Sequence, residues 1–379
     1  MKVAVFGAGL MGRAALFDLA RADGVKGISV FDIDGKLAEE IANKYGNGIA
    51  RGVRADAGDE SRCIELLKEF DVLVSCVTYK YNVGLTRAAI AAGCHMVDLG
   101  GNNDVVRSQL EMDSDAAAAG VVIIPDCGLA PGMVSILVAD GFGMFDKVSS
   151  VQIRVGGLPQ SPRSPLNYQM VFSAEGLLNE YWEPCIILEE GKKKTVNPMT
   201  GLELLTFDGI GKLEAFYTSG GTSTLPNTFE GRVENLDYKT IRYPGHCVLM
   251  KAMLDLGLAS RQPLKVGDQM VEPRALFRSV LEKSLSYGQP DLVLVRVILE
   301  GEKDGRLKTV VYEIVDRQDS RTGLTAMMRC TAFPAAINAW MAGAGQTTAR
   351  GVKPQETAVI PATFLSQLKK RGIFLTIKE

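Results

Sequence analysis

The stretch VAVFGAGLMG, Val3 to Gly12, constrains this chain more than any other. It opens with a β-branched apolar run, breaks at glycines spaced Gly-x-Gly-x-x-Gly, and leads into a helical pattern. That order suits a strand, a tight turn and a helix whose free N–H groups face an anion. Gly7 allows the turn, Gly9 lets a pyrophosphate approach the backbone, and Gly12 lets helix and strand pack closely. The next strand-like run, ISVFD, ends in Asp32, about twenty residues past the last glycine, where a ribose-binding carboxylate belongs. A carboxylate there accepts bonds from the ribose 2′- and 3′-hydroxyls and repels a 2′-phosphate. Ile33 and Asp34 follow, with no arginine close in sequence, so the expected cofactor is NAD rather than NADP. Leu10, Met11 and Ile33 join the glycines and Asp32 as expected cofactor contacts.

The alternation of strand and helix continues over the first 130 or so residues. Apolar runs at 2–6, 28–32, 71–77, 95–99 and 121–125, with a weaker one at 48–56, predict strands. The patterns at 10–20 and 36–45 predict helices. This rhythm implies an α/β fold with a parallel, doubly wound sheet. Ligands of such sheets bind beyond the carboxyl ends of the strands, so Asp56, Cys76, Val77 and Thr78 are further expected contacts. After residue 134 the rhythm changes. Residues 148–157 predict a strand, 173–183 and 274–287 helices, and 293–316 a hairpin around a Lys-Asp-Gly turn. A last apolar helix at 325–345 is expected to kink or split at Pro334, which lacks a backbone donor. The expected plan is a dinucleotide domain from 1–133 and 325–379, with 134–324 as an inserted α+β domain.

A chain of 379 residues holds two ordinary domains. Its net charge of −2 is no footprint for nucleic acid. No apolar stretch is long enough to span a bilayer, and the start carries no signal-peptide pattern, so a cytoplasmic protein is expected. The seven cysteines form no CxxC pair, and no metal site is expected. The long strands of the inserted domain need a covered edge, and a homo-oligomer, a dimer or larger, is the expected cover.

The blocks VDLGG (97–101), PDCGLAPGM (125–133), FYTSGGTSTLP (216–226), YKTIRYPGH (238–246) and GVKPQETAVIPATFLSQLKKRGI (351–373), with the glycine motif, resemble the saccharopine dehydrogenase-like family. The likeness is greatest to its branch that oxidises the ε-amino group of L-lysine. It implies a Rossmann domain with an inserted substrate and dimerisation domain. It also implies a reaction: NAD oxidises the lysine ε-carbon, and hydrolysis releases ammonia and 2-aminoadipate 6-semialdehyde, which cyclises.

That chemistry asks for a base, because hydride leaves only from a neutral amine. It also asks for a cation on the distal carboxylate. Arg242 is the expected clamp. His246, expected at a helix N-terminus and kept neutral by it, is the expected base or water-positioning group, with Asp98 and Asp126 as candidate acids. Strand alternation puts Thr240 on the face of Arg242, and Lys239 on the other. Lys239, Thr240 and Tyr168 are expected substrate contacts. Ser173 and Glu180 lie in the block that opens the inserted domain, where a substrate is in reach, but with Tyr243 they read as packing or surface residues, and His95 as no ligand. Saccharopine, with three carboxylates, is the rival substrate, for which Arg154, Arg163 and Arg232 are available cations. A non-catalytic NAD-binding regulator is a third reading.

Overall fold

The computed structural model describes residues 1–379, which divide into two compact units. The first comprises Met1–Met144 and Met328–Phe374, and the second Phe145–Met327 and Leu375–Glu379. The helix Met133–Phe142 falls in the first unit, beyond the expected edge, because it packs against helices Gln355–Ala358 and Pro361–Lys370. The last residues fall in the second unit because Leu375–Lys378 pairs with Arg306–Arg317.

The first unit is built on a seven-stranded sheet, parallel throughout. In spatial order its strands are Gly351–Val352, Val122–Ile124, His95–Asp98, Val72–Ser75, Lys2–Phe6, Gly27–Asp32 and Ala50–Arg54. The central strands are apolar at almost every position, because helices cover both faces. Val3 to Phe6 and Val72 to Ser75 are buried without a break. Each such Val or Phe contributes about 1.5–3 kcal/mol by leaving water. The weak pattern at Ala50–Arg54 has a physical reason. This strand is the sheet edge, and its arginines face solvent. Strand order reverses between Lys2–Phe6 and Val72–Ser75, which opens a crevice at their carboxyl ends.

The helix Ala326–Gly343 runs through Pro334 without splitting, contrary to expectation. Ala332, Phe333 and Ala335 to Ala339 are all buried, so packing outweighs one missing backbone bond.

The second unit is a nine-stranded mixed sheet. Its long strands are Lys147–Pro159, Asp291–Lys303 and Arg306–Arg317. The last two form the expected hairpin. Asp304 (φ 51°) and Gly305 (φ 73°) supply the two left-handed residues of its turn. Helices Ala174–Trp182, His246–Asp255 and Pro273–Leu285 cover one face, over a core that includes Leu177, Tyr181, Phe216, Met250 and Phe277. The other face curls on itself. The Arg296 guanidinium lies 4.1 Å from the Phe207 ring centroid and donates to the Thr206 carbonyl (2.9 Å). This folds the edge strand Glu203–Phe207 over a second core of Leu158, Leu213, Ile241, Leu292 and Leu294. No helix is long and apolar enough to cross a membrane.

Candidate active site

Chemistry-bearing side chains gather in two places, one in each unit. The first is a cleft of about 300 Å³ at the carboxyl ends of the first unit's strands. Gly7, Gly9, Asp32, Ile33, Asp56, Cys76, Val77 and Thr78 line it, with Tyr81 and Ala55 beside them. Sterics explain the glycines. Gly7 has φ 99°, and a Cβ there would stand 2.8 Å from the Cys76 carbonyl oxygen; a Cβ on Gly12 would stand 1.8 Å from that of Gly7. Gly9 differs: nothing lies within 4 Å of where its Cβ would be. The space above it is open, and the helix Leu10–Leu19 has no side-chain cap on its N-terminal N–H groups. Leu10 is exposed and Met11 half-buried at that same turn. Open space, free donors and a carboxylate one strand away fit a dinucleotide. Gly9→Val is expected to leave the thermal midpoint within about 2 °C, since no atom is displaced, while weakening dinucleotide affinity by more than tenfold in calorimetric titration.

Asp32 Oδ2 accepts from the Ala8 N–H (2.7 Å) and Oδ1 from the Asp34 N–H (2.9 Å). The acid therefore holds the glycine turn in place as well as facing the cleft. Asp56 Oδ1 accepts from the Gly58 N–H (2.8 Å), so its side chain ties its own loop while the residue lines the cleft. Burial, with Asp98 nearby, pushes the Cys76 thiol up to about 12, so it stays protonated.

Asp98 and Asp126 do not stand as free acids. Asp98 is fully buried and accepts from Gln109 Nε2 (2.7 Å), the Gly100 N–H (2.7 Å) and the Asp126 N–H (3.2 Å). Burial raises its pKa against those bonds. It is a bolt between loops. Asp126 is 4% exposed, with φ 61° and its carbonyl bonded by Gln355 Nε2. His95 Nδ1 accepts from the Val122 N–H (3.0 Å), a packing role.

The second place lies in the second unit, where Arg242 ends the strand Asn235–Arg242. Arg242 is 2% exposed. Its Nε donates to Tyr181 Oη (2.8 Å) and Nη1 to the Ile241 carbonyl (2.9 Å), and the guanidinium lies 4.7 Å from the Tyr168 ring centroid. It forms no salt bridge. Burial works against its charge, but Tyr181, Tyr168 and Glu180 hold its pKa raised, so it stays a cation. The acid whose charge bears on it is Glu180, on the helix Ala174–Trp182, with which it forms no ion pair. Burial pushes the Glu180 carboxyl up to about 7, against the pull of Arg242.

His246 completes the cluster in a role other than the expected one. Its Nδ1 lies 3.0 Å from the Leu166 carbonyl, which can only accept, so Nδ1 carries the proton. Nε2 then accepts from Tyr181 Oη (3.0 Å). The chain of donors runs Arg242 to Tyr181 to His246 to Leu166. The residue is 1% exposed, and burial, then Arg242, pushes its pKa down to about 3. Its one lone pair is already used, so His246 positions Tyr181 and is not the base. Glu214 takes the Gly245 and Cys247 N–H groups (2.8 and 2.7 Å) at the start of the helix His246–Asp255.

Thr240 lies on the Arg242 face and bonds Thr218 Oγ1 (2.7 Å). The Ser219 N–H next to it donates to the Glu180 carbonyl (2.8 Å), so the TSGG block anchors the helix that carries Glu180. Tyr168 is fully buried and packs against Arg242. Lys239 is not in it. It points to the opposite face and pairs with Glu203 (2.5 Å). Arg154 on that face is held by Glu203 and by Asp237 (2.7 Å). Arg232 lies over the Phe229 ring, and Arg163 over that of Tyr287. Ser173 caps the helix Ala174–Trp182, and Tyr243 donates to the Pro159 carbonyl (2.9 Å). Sequence reasoning set Glu180 aside as a packing or surface residue and missed Tyr181. The signal was present: Leu177, Glu180 and Tyr181 share one helical face, which puts a carboxylate on an apolar stripe.

The N-terminal part, residues 3–124, matches the NADP binding domain of saccharopine dehydrogenase, and residues 128–373 match the saccharopine dehydrogenase C-terminal domain. The chain belongs to the saccharopine dehydrogenase family. Mitochondrial alpha-aminoadipic semialdehyde synthase of Bos taurus is 23% identical over 455 residues, covering 100% of this chain and 48% of that protein. The NADP(+), L-glutamate-forming saccharopine dehydrogenase of Pyricularia oryzae is 23% identical over 268 residues, 67% of this chain and 58% of that one. The chain thus spans about half the length of these curated relatives. Among solved structures, apo saccharopine dehydrogenase from Saccharomyces cerevisiae superposes with a TM-score of 0.82 at 19% identity, covering 100% of this chain and 99% of the other. Homospermidine synthase from Legionella pneumophila, in complex with NAD, gives 0.68 at 12% identity, covering 100% and 91%. At such identities these two show that the saccharopine dehydrogenase fold is shared.

Proposed function

We propose that this member of the saccharopine dehydrogenase family is an NAD-dependent oxidoreductase acting on an amino acid, and that the amino acid is L-lysine, oxidised at its ε-carbon. The observation that carries the reading is Arg242, a buried cation with no carboxylate in ion-pair range. A buried charge left unpaired costs several kcal/mol, which a substrate carboxylate recovers on binding. Glu180 stands near it on the same side of the sheet. A cation and an acid too far apart to pair with each other suit the two charges of an α-amino-acid head group. Arg242 takes the carboxylate and ionised Glu180 the α-ammonium. Tyr168 and Tyr181 pack against the Arg242 guanidinium and keep the pairs dry, where they are stronger.

A dinucleotide held by the Gly7–Gly12 turn and Asp32 would supply the hydride acceptor for the ε-carbon. Overall the lysine ammonium, NAD⁺ and water give the semialdehyde, ammonium, NADH and a proton. Asp32 favours NAD by accepting from the ribose hydroxyls. Lysine is preferred to saccharopine because Arg154 and Lys239 are spent in ion pairs on the other face, which leaves Arg242 to hold one carboxylate. The names of the relatives favour the second reading, a saccharopine dehydrogenase.

The test is NADH formation at 340 nm with L-lysine and, in parallel, with saccharopine. Turnover with lysine, and at least about tenfold lower kcat/KM with saccharopine, supports the proposal. Turnover with saccharopine alone replaces it with the second reading. Dinucleotide binding without turnover of any amino acid removes both.

A further inference from the structure

The strand beside Asp32 carries a cation that sequence spacing hides. Arg54 is the in-register partner of Asp32 on the neighbouring parallel strand, and the Ala55 N–H donates to the Asp32 carbonyl (2.9 Å). Parallel neighbours lie about 4.8 Å apart with side chains on the same face. Arg54 therefore leaves the sheet beside the acid that selects the ribose. Its stem crosses the first residue of the next helix: a Cβ on Gly35 would stand 2.9 Å from Arg54 Cβ and 3.6 Å from Cγ. Arg54 is exposed and forms no salt bridge.

Two further observations bear on the charge around it. Both Asp32 oxygens accept backbone N–H bonds, from Ala8 and Asp34, so its charge is partly spent. Asp34 is turned to the Lys36 and Leu37 N–H groups as the helix cap. Asp32 and Asp34 are thus engaged with backbone donors, and neither pairs with the Arg54 guanidinium.

We propose that Arg54 receives the 2′-phosphate of NADP, so that this protein binds both dinucleotides and Arg54 carries the affinity for NADP. A guanidinium matches the phosphate with two hydrogen bonds, which a lysine at the same place reproduces only as a point charge. Asp32 keeps NAD ahead, and Arg54 sets how far ahead. The inference rests on reading the Gly7–Gly12 cleft as a dinucleotide site.

The experiment is calorimetric titration of NADH and NADPH into wild type, Arg54→Ala and Arg54→Lys, with the unfolding midpoint of each as the folding control. Wild type is expected to bind NADPH within about tenfold of NADH. Arg54→Ala is expected to weaken NADPH by roughly tenfold or more and NADH by less than about threefold, with Arg54→Lys in between. Raising salt from about 0.05 to about 0.5 M is expected to weaken NADPH more than NADH in wild type and equally in Arg54→Ala. Equal losses for both ligands in Arg54→Ala, no loss for either, or wild type that binds NADH but not NADPH overturns the role of Arg54. Wild type that binds neither overturns the dinucleotide site itself.

Discussion

Arg242→Ala is expected to raise KM for the amino-acid substrate by roughly 10²-fold or more, from the loss of a buried, charge-assisted carboxylate contact. Dinucleotide affinity, which depends on the other unit, is expected to stay within about twofold, and it serves as the folding control. Arg242→Lys is not expected to restore the lost affinity. The native guanidinium is aimed by Nε on Tyr181 and Nη1 on the Ile241 carbonyl, and an ammonium cannot make both bonds and still present a planar fork. A steady-state KM in Arg242→Ala within threefold of wild type would remove the clamp and, with it, the main support for an amino-acid substrate.

Glu180→Gln carries the second large effect. With its carboxyl held near 7, only part of the protein has an ionised Glu180 at neutral pH. Wild-type kcat/KM is therefore expected to climb as pH rises through about 7, because that quantity reports the free enzyme. The variant is expected to lose this limb and to show KM raised roughly 10- to 100-fold, with kcat changed less. A large fall in kcat with KM intact would instead make Glu180 the proton acceptor for the reacting amine.

Stability follows with a definite sign. The folded state favours the protonated carboxyl, so this contribution is fully present below the ordinary value of 4.5 and is lost as pH rises through about 7. Glu180→Gln should gain stability on wild type over that window, by at most about 3 kcal/mol. Thermal midpoints of both proteins, taken from pH 5 to pH 8, measure it.

What sequence alone could show depends on distance along the chain. The glycine turn and the place of Asp32 were legible because each acts through its own neighbours: a φ near 99° at Gly7, a crowded Cβ position at Gly12, an acid at the last position of its strand. The placement of Lys239 and Thr240 on opposite faces was legible because a strand alternates. The partners of Arg242 were not. Tyr181 lies 61 residues earlier, and Leu166, which fixes the tautomer of His246, 80 residues earlier. Arg54 lay beyond reach for the same reason, since which residue stands opposite Asp32 is a matter of sheet register. The short strands Lys192–Val196 and Gly351–Val352 carry no apolar alternation and exist only because a neighbour pairs with them.

Each sheet takes one outermost strand from a segment that follows, in sequence, every other strand of that sheet. Gly351–Val352 supplies the outermost strand of one, and Leu375–Lys378 that of the other. A ribosome therefore delivers long strands and much of both cores well before either sheet has its last edge. Until residue 378 emerges, the backbone donors and acceptors from Val311 to Ile314 lack their final partner. Over that interval the strand presents an open edge of the kind to which a second strand adds, and Leu375–Lys378 closes it by pairing.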